Sequence, residues 1–305
     1  MRGHSGFSLK TGRLAGMILA SAFLLTIVAC APKEIPPTPT PPPKPARIAI
    51  VLGAGASKGF AHIGVLKVLE AQKIPIHMVV GTSAGSVVGS LYAYGYDAFT
   101  IQNMAMKIEK GDVIDMTIPN NGFIKGERLE DFINSSVRNT PIEKLKIRFY
   151  AVATEVSTGD EVAFAMGNTG RAVRASCSIP GVFQPVKISG KTYVDGGVVS
   201  PVAVDVARRY GADVVIAVDI SGGMAGTVPQ GTMDTILQAI DIMYSKIAAY
   251  QLLKADVVIQ PAVGQIGSSD LSKRHEAILE GEKAAVKALP AIQKIVDRLK
   301  KERRL

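Results

Sequence analysis

At 305 residues, 47% of them apolar and 20% charged, the chain is long enough to bury a full core and too apolar to be disordered. The net charge is +9; three basic residues precede Cys30, so the rest carries 32 basic against 26 acidic residues, a modest excess that suits an anionic lipid surface. No Lys/Arg run is interleaved with aromatic residues, which argues against a nucleic-acid partner, and the two cysteines, Cys30 and Cys177, build neither a disulfide framework nor a paired-cysteine metal site.

From the N terminus, Arg2, Lys10 and Arg13 precede an uncharged, mostly apolar run, Leu14 to Ala29, that ends at Cys30. The run is short for a spanning helix and has the anatomy of a signal peptide. Its last residues, Ile27-Val28-Ala29-Cys30, resemble the bacterial lipobox. That resemblance implies removal of residues 1–29, lipidation of Cys30, and a body held in the cell envelope outside the cytoplasm. Ala31, where an aspartate would signal inner-membrane retention, favours the outer membrane of a Gram-negative cell. The alternative is an uncleaved anchor with a chance cysteine. Residues 30–46 continue as a Pro-rich linker whose core, PKEIPPTPTPPPKP, is an extended polyproline spacer of about 40 Å at roughly 3 Å per residue. The remainder divides into a main domain over 47–260 and a C-terminal helical extension over 261–305.

Arg47 to Leu52 is a short β-branched apolar run, read as a buried strand, and Phe60 to Ala71 has helical spacing. Between them lies Gly53-Ala54-Gly55-Ala56-Ser57-Lys58-Gly59. The glycine spacing is wrong for a dinucleotide fingerprint, and the Gly-Lys-Ser/Thr of a nucleotide P-loop is absent. A nest of backbone N–H groups serving as an oxyanion hole remains, with Lys58 adding positive charge nearby. Ile76 to Val80 reads as the next strand, followed by Gly81-Thr82-Ser83-Ala84-Gly85 and a small-residue helix. This is G-x-S-x-G, in which the serine stands on a strained strand-to-helix bend, Gly81 and Gly85 leave room for the backbone, and the helix N terminus offers free N–H groups. A right-handed β-α-β connection places both turns at one edge of a parallel sheet, so the Gly-rich loop and Ser83 become neighbours.

Helices are predicted over Phe99–Lys110 and Glu127–Val137. The loop between them holds Met116, Ile118, Pro119 and Phe123, either as a lid or acyl-chain wall or as a plain surface connection. Ile147 to Thr154 and Glu161 to Ala165 form a hairpin. A helix ends at Val173 to Cys177, with Cys177 read as a buried small residue, and Ser178 to Gly181 is a turn. Tyr193-Val194-Asp195-Gly196-Gly197 closes a strand on a carboxylate followed by two glycines that allow close backbone approach. Beside a serine that needs a base, Asp195 becomes an acid/base candidate. A helix over Val202–Tyr210, an apolar strand over Val214–Ile220 and a Gly-rich loop over Ser221–Gln230 follow. Thr232 to Leu253 is a long helix with Ile236, Ile240, Met243 and Ile247 on its core face. A strand over Ala255–Gln260 precedes one or two helices over Glu276–Leu299, interrupted at Pro290 and ending in a basic face.

Four blocks, LGAGASKGFAHIGVLKVLE (52–70), GTSAG (81–85), SIPGVFQPV (178–186) and DGG (195–197), together resemble the patatin-like phospholipases. The resemblance implies a three-layer α/β/α fold with a mostly parallel central sheet. It implies a Ser–Asp dyad in which Ser83 is the nucleophile and Asp195 the proton acceptor, with no catalytic histidine, metal or cofactor. It implies hydrolysis of acyl esters in phospholipids, lysophospholipids or neutral lipids. The family's oxyanion loop, G-G-G-x-R/K-G, falls on Ala54 to Gly59, with alanine at 54 and 56 where glycine is common. A positive φ at either alanine would strain it. Other readings stay open: a Ser-Asp-His triad with His275, the only histidine late enough for that chain order; acyl transfer to an acceptor other than water; and a lipid- or partner-binding envelope protein without activity. His62, beside the loop, is read as packed rather than chemical.

Overall fold

The computed structural model describes residues 43–118, 121–222, 229 and 231–305. The signal-like run, Cys30, the linker as far as Pro42, Pro119, and residues 223–228 and 230 of the Ser221–Gln230 loop lie outside the described residues. The strands are β1 (Ile48–Leu52), β2 (Met78–Thr82), β3 (Arg148–Glu155), β4 (Glu161–Phe164), β5 (Val186–Ile188), β6 (Lys191–Asp195), β7 (Val214–Val218) and β8 (Val257–Ile259). The helices are α1 (Phe60–Ala71), α2 (Ala84–Tyr94), α3 (Ala98–Lys107), α4 (Lys110–Val113), α5 (Glu127–Ser136), α6 (Thr169–Ser176), α7 (Val204–Arg209), α8 (Thr232–Leu252) and α9 (Arg274–Lys301).

Among the described residues the strands form one sheet in the order β5-β6-β3-β2-β1-β7-β8, with β4 paired to β3. From β3 to β8 along this path every pairing is parallel; β4 and β6 both run antiparallel to β3. The central strands are continuous apolar runs because both faces are covered. Alternation along β1 sends Ile48, Ile50 and Leu52 into a core shared with α1, α2 and α9. Ala49 and Val51 face the opposite core, shared with α7 and Ala248 of α8. The result is the expected α/β/α sandwich with a mostly parallel sheet.

α9 belongs to this core. It crosses α1 at two glycines: a Cβ on Gly64 would lie 1.9 Å from the Ile278 carbonyl oxygen, and one on Gly281 2.0 Å from that of Ala61. The expected interruption at Pro290 does not occur. Pro290 is on the exposed side of an unbroken helix, and Ala285, Ile292 and Val296 hold the turns around it against the core. The helix predicted over Phe99–Lys110 instead divides into α3 and α4, because Ile108 and Glu109 are extended. The face assigned to the long helix is corrected in part. Among the described residues Ile240, Tyr244 and Ala248 are buried and Ile236 packs beside them, while Met243 is 53% exposed.

Candidate active site

β1 and β2 run parallel with Leu52 opposite Gly81, so the Gly-rich loop and the Ser83 turn leave the same edge of the sheet. The two turns touch through missing side chains. A Cβ on Gly85 would lie 2.0 Å from the Leu52 carbonyl oxygen, and one on Gly59 would lie 2.6 Å from the Ala84 Cβ. Ser83 has φ 53° and ψ −123°, a conformation that non-glycine residues adopt only when their surroundings over-determine it. Here they do. The Ser83 N–H donates to Ser176 Oγ at 2.9 Å, and Ser176 Oγ donates to the Val152 carbonyl at 2.6 Å. The Ser83 carbonyl accepts from Ser86 N and Ser86 Oγ, each at 2.7 Å.

Asp195 reaches the same place from another strand. Thr82 is opposite Val152 and Ala153 is opposite Asp195, so Ser83 and Asp195 come level on either side of β3. The carboxylate is fully buried. Its Oδ1 accepts from Gly197 N at 2.7 Å and from Tyr244 Oη at 3.1 Å, and its Oδ2 has no partner among the described residues. The Ser83 hydroxyl is near enough to lower the proton affinity of Asp195, but no well-formed hydrogen bond joins the two, as in many unliganded sites. Burial outweighs the lowering influence of Ser83, Gly197 and Tyr244 and raises the carboxyl from 3.8 to about 6.

Only part of the Gly53–Gly59 loop has N–H groups left to donate. Gly53 N donates to the Val218 carbonyl at 3.0 Å, Ala54 N to Pro201 at 2.9 Å, Ser57 N to Ser268 at 3.2 Å and Lys58 N to Gly55 at 3.1 Å. The N–H groups of Gly55, Ala56 and Ala84 donate to no acceptor among the described residues, and Ala56 and Ala84 line the cavity described below. Of the two alanines that replace glycine, Ala54 is unstrained and Ala56 is at φ 49°. Lys58 does not bring a free charge to the site. Its side chain is buried against Asp241 of α8, Nζ to Oδ2 2.8 Å, and Ser268 Oγ donates to the same oxygen at 2.7 Å.

His62 is wholly buried behind the loop, with Nε2 2.8 Å from the Gly53 carbonyl oxygen. Since a carbonyl only accepts, Nε2 carries the proton and Nδ1 is bare, and burial lowers the imidazole to about 4. His77 Nδ1 accepts from Ile48 N, and His275 is exposed at the start of α9. None of these three histidines hydrogen-bonds Ser83 or Asp195. Cys177 is buried, and burial pushes its thiol far above its ordinary range, so it is an inert neighbour. Among the described residues no three His, Cys, Asp or Glu side chains are grouped as a metal ion would need.

Ser83 opens onto a cavity of about 310 Å³ with almost wholly apolar walls, running past Val87 and Leu91 of α2 to Ile101 and Met104 of α3 and Phe132 of α5. The Gly111–Gly126 loop plays two parts. Val113, Ile114 and Ile124 line this cavity, while Met116 and Ile118 are 70% and 87% exposed. Two contributors escape sequence reasoning, Tyr244 and Asp241. Both come from α8 and are 49 and 183 residues from their partners.

Residues 50–208, just over half the chain, match the patatin-like phospholipase family model. An NTE family protein of Mycobacterium tuberculosis (strain H37Rv) is 35% identical over 183 residues, covering 59% of this chain and 50% of its own. A lysophospholipase, NTE1, of Coccidioides immitis is 34% identical over 195 residues, covering 62% of this chain and 12% of its own. The chain thus spans half or less of the length of these relatives. The crystal structure of VipD from Legionella pneumophila superposes with a TM-score of 0.58 at 12% identity, over 82% of this chain and 67% of that one, a likeness of fold. Motifs, sheet topology and family match agree, and the chain belongs to the patatin-like phospholipase family.

Proposed function

We propose that the chain is a lipid acyl hydrolase that cleaves carboxylic esters of phospholipids or lysophospholipids through a Ser83–Asp195 dyad and an acyl-serine intermediate. The observation that carries this is the pairing of a strained, cavity-facing Ser83 with a buried Asp195 whose Oδ2 is unpartnered on the far side of β3. Asp195 Oδ2 takes the proton of Ser83 Oγ as that oxygen attacks the ester carbonyl. The carbonyl oxygen, now an anion, accepts from the N–H groups of Ala56 and Ala84, with Gly55 beside them; one such donor is worth about 10²–10³ in rate. The leaving alkoxide collects the proton from Asp195, and the acyl group stays on Ser83. Water then gives a proton to Asp195, attacks the acyl ester, and the proton returns to Ser83 as the fatty acid departs. An aspartate elevated to about 6 is a better base than a solvated one while still ionised at neutral pH.

The apolar cavity suits one acyl chain, with the headgroup left outside. Lipidation of Cys30 would tether the body to a bilayer; among the described residues no helix is long and apolar enough to cross one. The test is fatty-acid release by the full chain from a lysophospholipid and from a short nitrophenyl ester. Both activities vanish in Ser83→Ala and in Asp195→Asn and survive in His275→Ala. Turnover by Ser83→Ala would defeat the proposal, and loss in His275→Ala alone would favour a triad.

A further inference from the structure

We propose that Tyr244 is a positioning residue of this site: it binds Asp195 Oδ1 and so leaves Oδ2 as the oxygen that takes the Ser83 proton. The second glycine of Asp-Gly-Gly is there to admit its ring. The inference rests on the dyad reading above.

The Asp195 backbone is held from both sides, its N–H donating to the Ser178 carbonyl at 2.9 Å and its carbonyl accepting from Thr154 Oγ1 at 2.9 Å. Only the carboxylate can still turn. Gly197 N and Tyr244 Oη both load Oδ1, which fills that oxygen's acceptor capacity. A proton arriving at Asp195 therefore settles on Oδ2, the oxygen without a partner. Tyr244 is 4% exposed, and a Cβ on Gly197 would lie 2.2 Å from its ring Cζ and 2.6 Å from its hydroxyl. Any side chain at 197 expels the ring from this seat. Asp241, one turn earlier on α8, holds Lys58 of the oxyanion loop, so one helix face braces both halves of the site.

The groups packed around the pair do not compete for this titration. Burial and Asp195 hold the Tyr244 hydroxyl well above its ordinary range, so it stays a donor. The Cys177 thiol stays protonated through burial, Asp241 is paired with Lys58, and His62 titrates near 4. Loss of the Tyr244 donor removes an interaction with the charged form and makes Asp195 harder to ionise.

The experiment uses the full chain as Tyr244→Phe, which keeps the ring, with kcat and KM for nitrophenyl butyrate followed from about pH 4.5 to 9. The expected result is a fall in kcat of about tenfold with KM little changed, and an acidic limb displaced upward by about one pH unit. Gly197→Ala gives the same upward displacement. A carbon-13 titration of the Asp195 carboxyl in a Ser83→Ala background reports the same shift without catalysis, its resonance assigned by its loss in Asp195→Asn. An unmoved limb and an unmoved carboxyl titration in Tyr244→Phe, with Asp195→Asn still inactive, overturn the proposal and leave the dyad standing. A shifted carboxyl titration with activity retained in Asp195→Asn overturns the dyad, and the role given to Tyr244 falls with it, leaving only the Tyr244–Asp195 hydrogen bond.

Discussion

Replacing Asp241 by asparagine removes the countercharge of a buried lysine while keeping the shape of the side chain. Lys58 is 4% and Asp241 19% exposed at the side chain, so water replaces little of what is lost. Breaking a buried pair from one side costs about 3–5 kcal/mol; asparagine can still accept from Lys58 or Ser268, which places the expected loss near the lower end, about 3 kcal/mol. For a body of this size that is a fall in Tm of about 6–12 °C. The damage reaches the chemistry, because Lys58 and Ser57 together clip the loop carrying Ala56 to α8 and to Gly267 and Ser268. A displacement of the loop by a fraction of an ångström lowers kcat by about tenfold or more. Urea unfolding and ester hydrolysis are measured on Asp241→Asn, Lys58→Met and the double variant. The double variant recovers most of the stability, giving a coupling of about 2 kcal/mol. An Asp241→Asn protein within about 0.5 kcal/mol of the parent, with parental kcat, would show that the Lys58–Asp241 pair does not brace the loop.

With Asp195 as the proposed base, activity rises with pH through about 6 as its carboxyl loses its proton. Stability runs the other way: the native carboxyl holds its proton to a higher pH than the unfolded one, so stability is lost as pH rises from about 4 through 6. Asp195→Asn is therefore inactive yet more stable at neutral pH, by up to about 3 kcal/mol in urea unfolding, and no such gain at pH 7.5 over pH 4.5 would contradict the assignment. With nitrophenyl esters of increasing length, kcat/KM climbs about fourfold per methylene, at about 0.8 kcal/mol each, until the cavity is full. Phe132→Ala moves that plateau to longer chains, and a profile flat with length would remove the cavity from the account. Ala56→Gly relieves the positive φ and keeps full activity with a gain of up to about 1 kcal/mol in denaturant, whereas Ala54→Gly gives none.

The turns that make the site were legible because their chemistry is local. Glycine at 81 and 85 around a serine, between an apolar strand and a small-residue helix, states an elbow without outside help, and strand order then brings Gly53 to Gly59 beside it. Asp195 was legible as a strand-ending carboxylate before two glycines, but the reason for Gly197 was not, because the ring that fills its space comes from α8. The periodicity of α8 pointed to Ile236, Ile240, Met243 and Ile247; Ile240 is buried and Ile236 packs beside it, but the line continues through Tyr244 and Ala248 and leaves Met243 exposed, because Asp195 and α7 lie on that side. Lys58 read as a cation near the site because its partner is 183 residues away. β5 was missed since Val186-Lys187-Ile188 carries too little pattern to stand out, and its pairing with β6 is what makes it a strand. Pro290 read as a break because a sequence does not show that the proline faces solvent while its neighbours are held by the core.

In the proposed mechanism Ser83 is the nucleophile and Asp195 the group that activates it. Its most direct test is covalent labelling of the full chain with a fluorophosphonate, with the adduct located by mass spectrometry and its rate of formation measured. The expected result is a single adduct on Ser83, formed at the parental rate in His275→Ala and at least about 10³-fold more slowly in Asp195→Asn. An adduct on another residue, or labelling of Asp195→Asn at the parental rate, would contradict it.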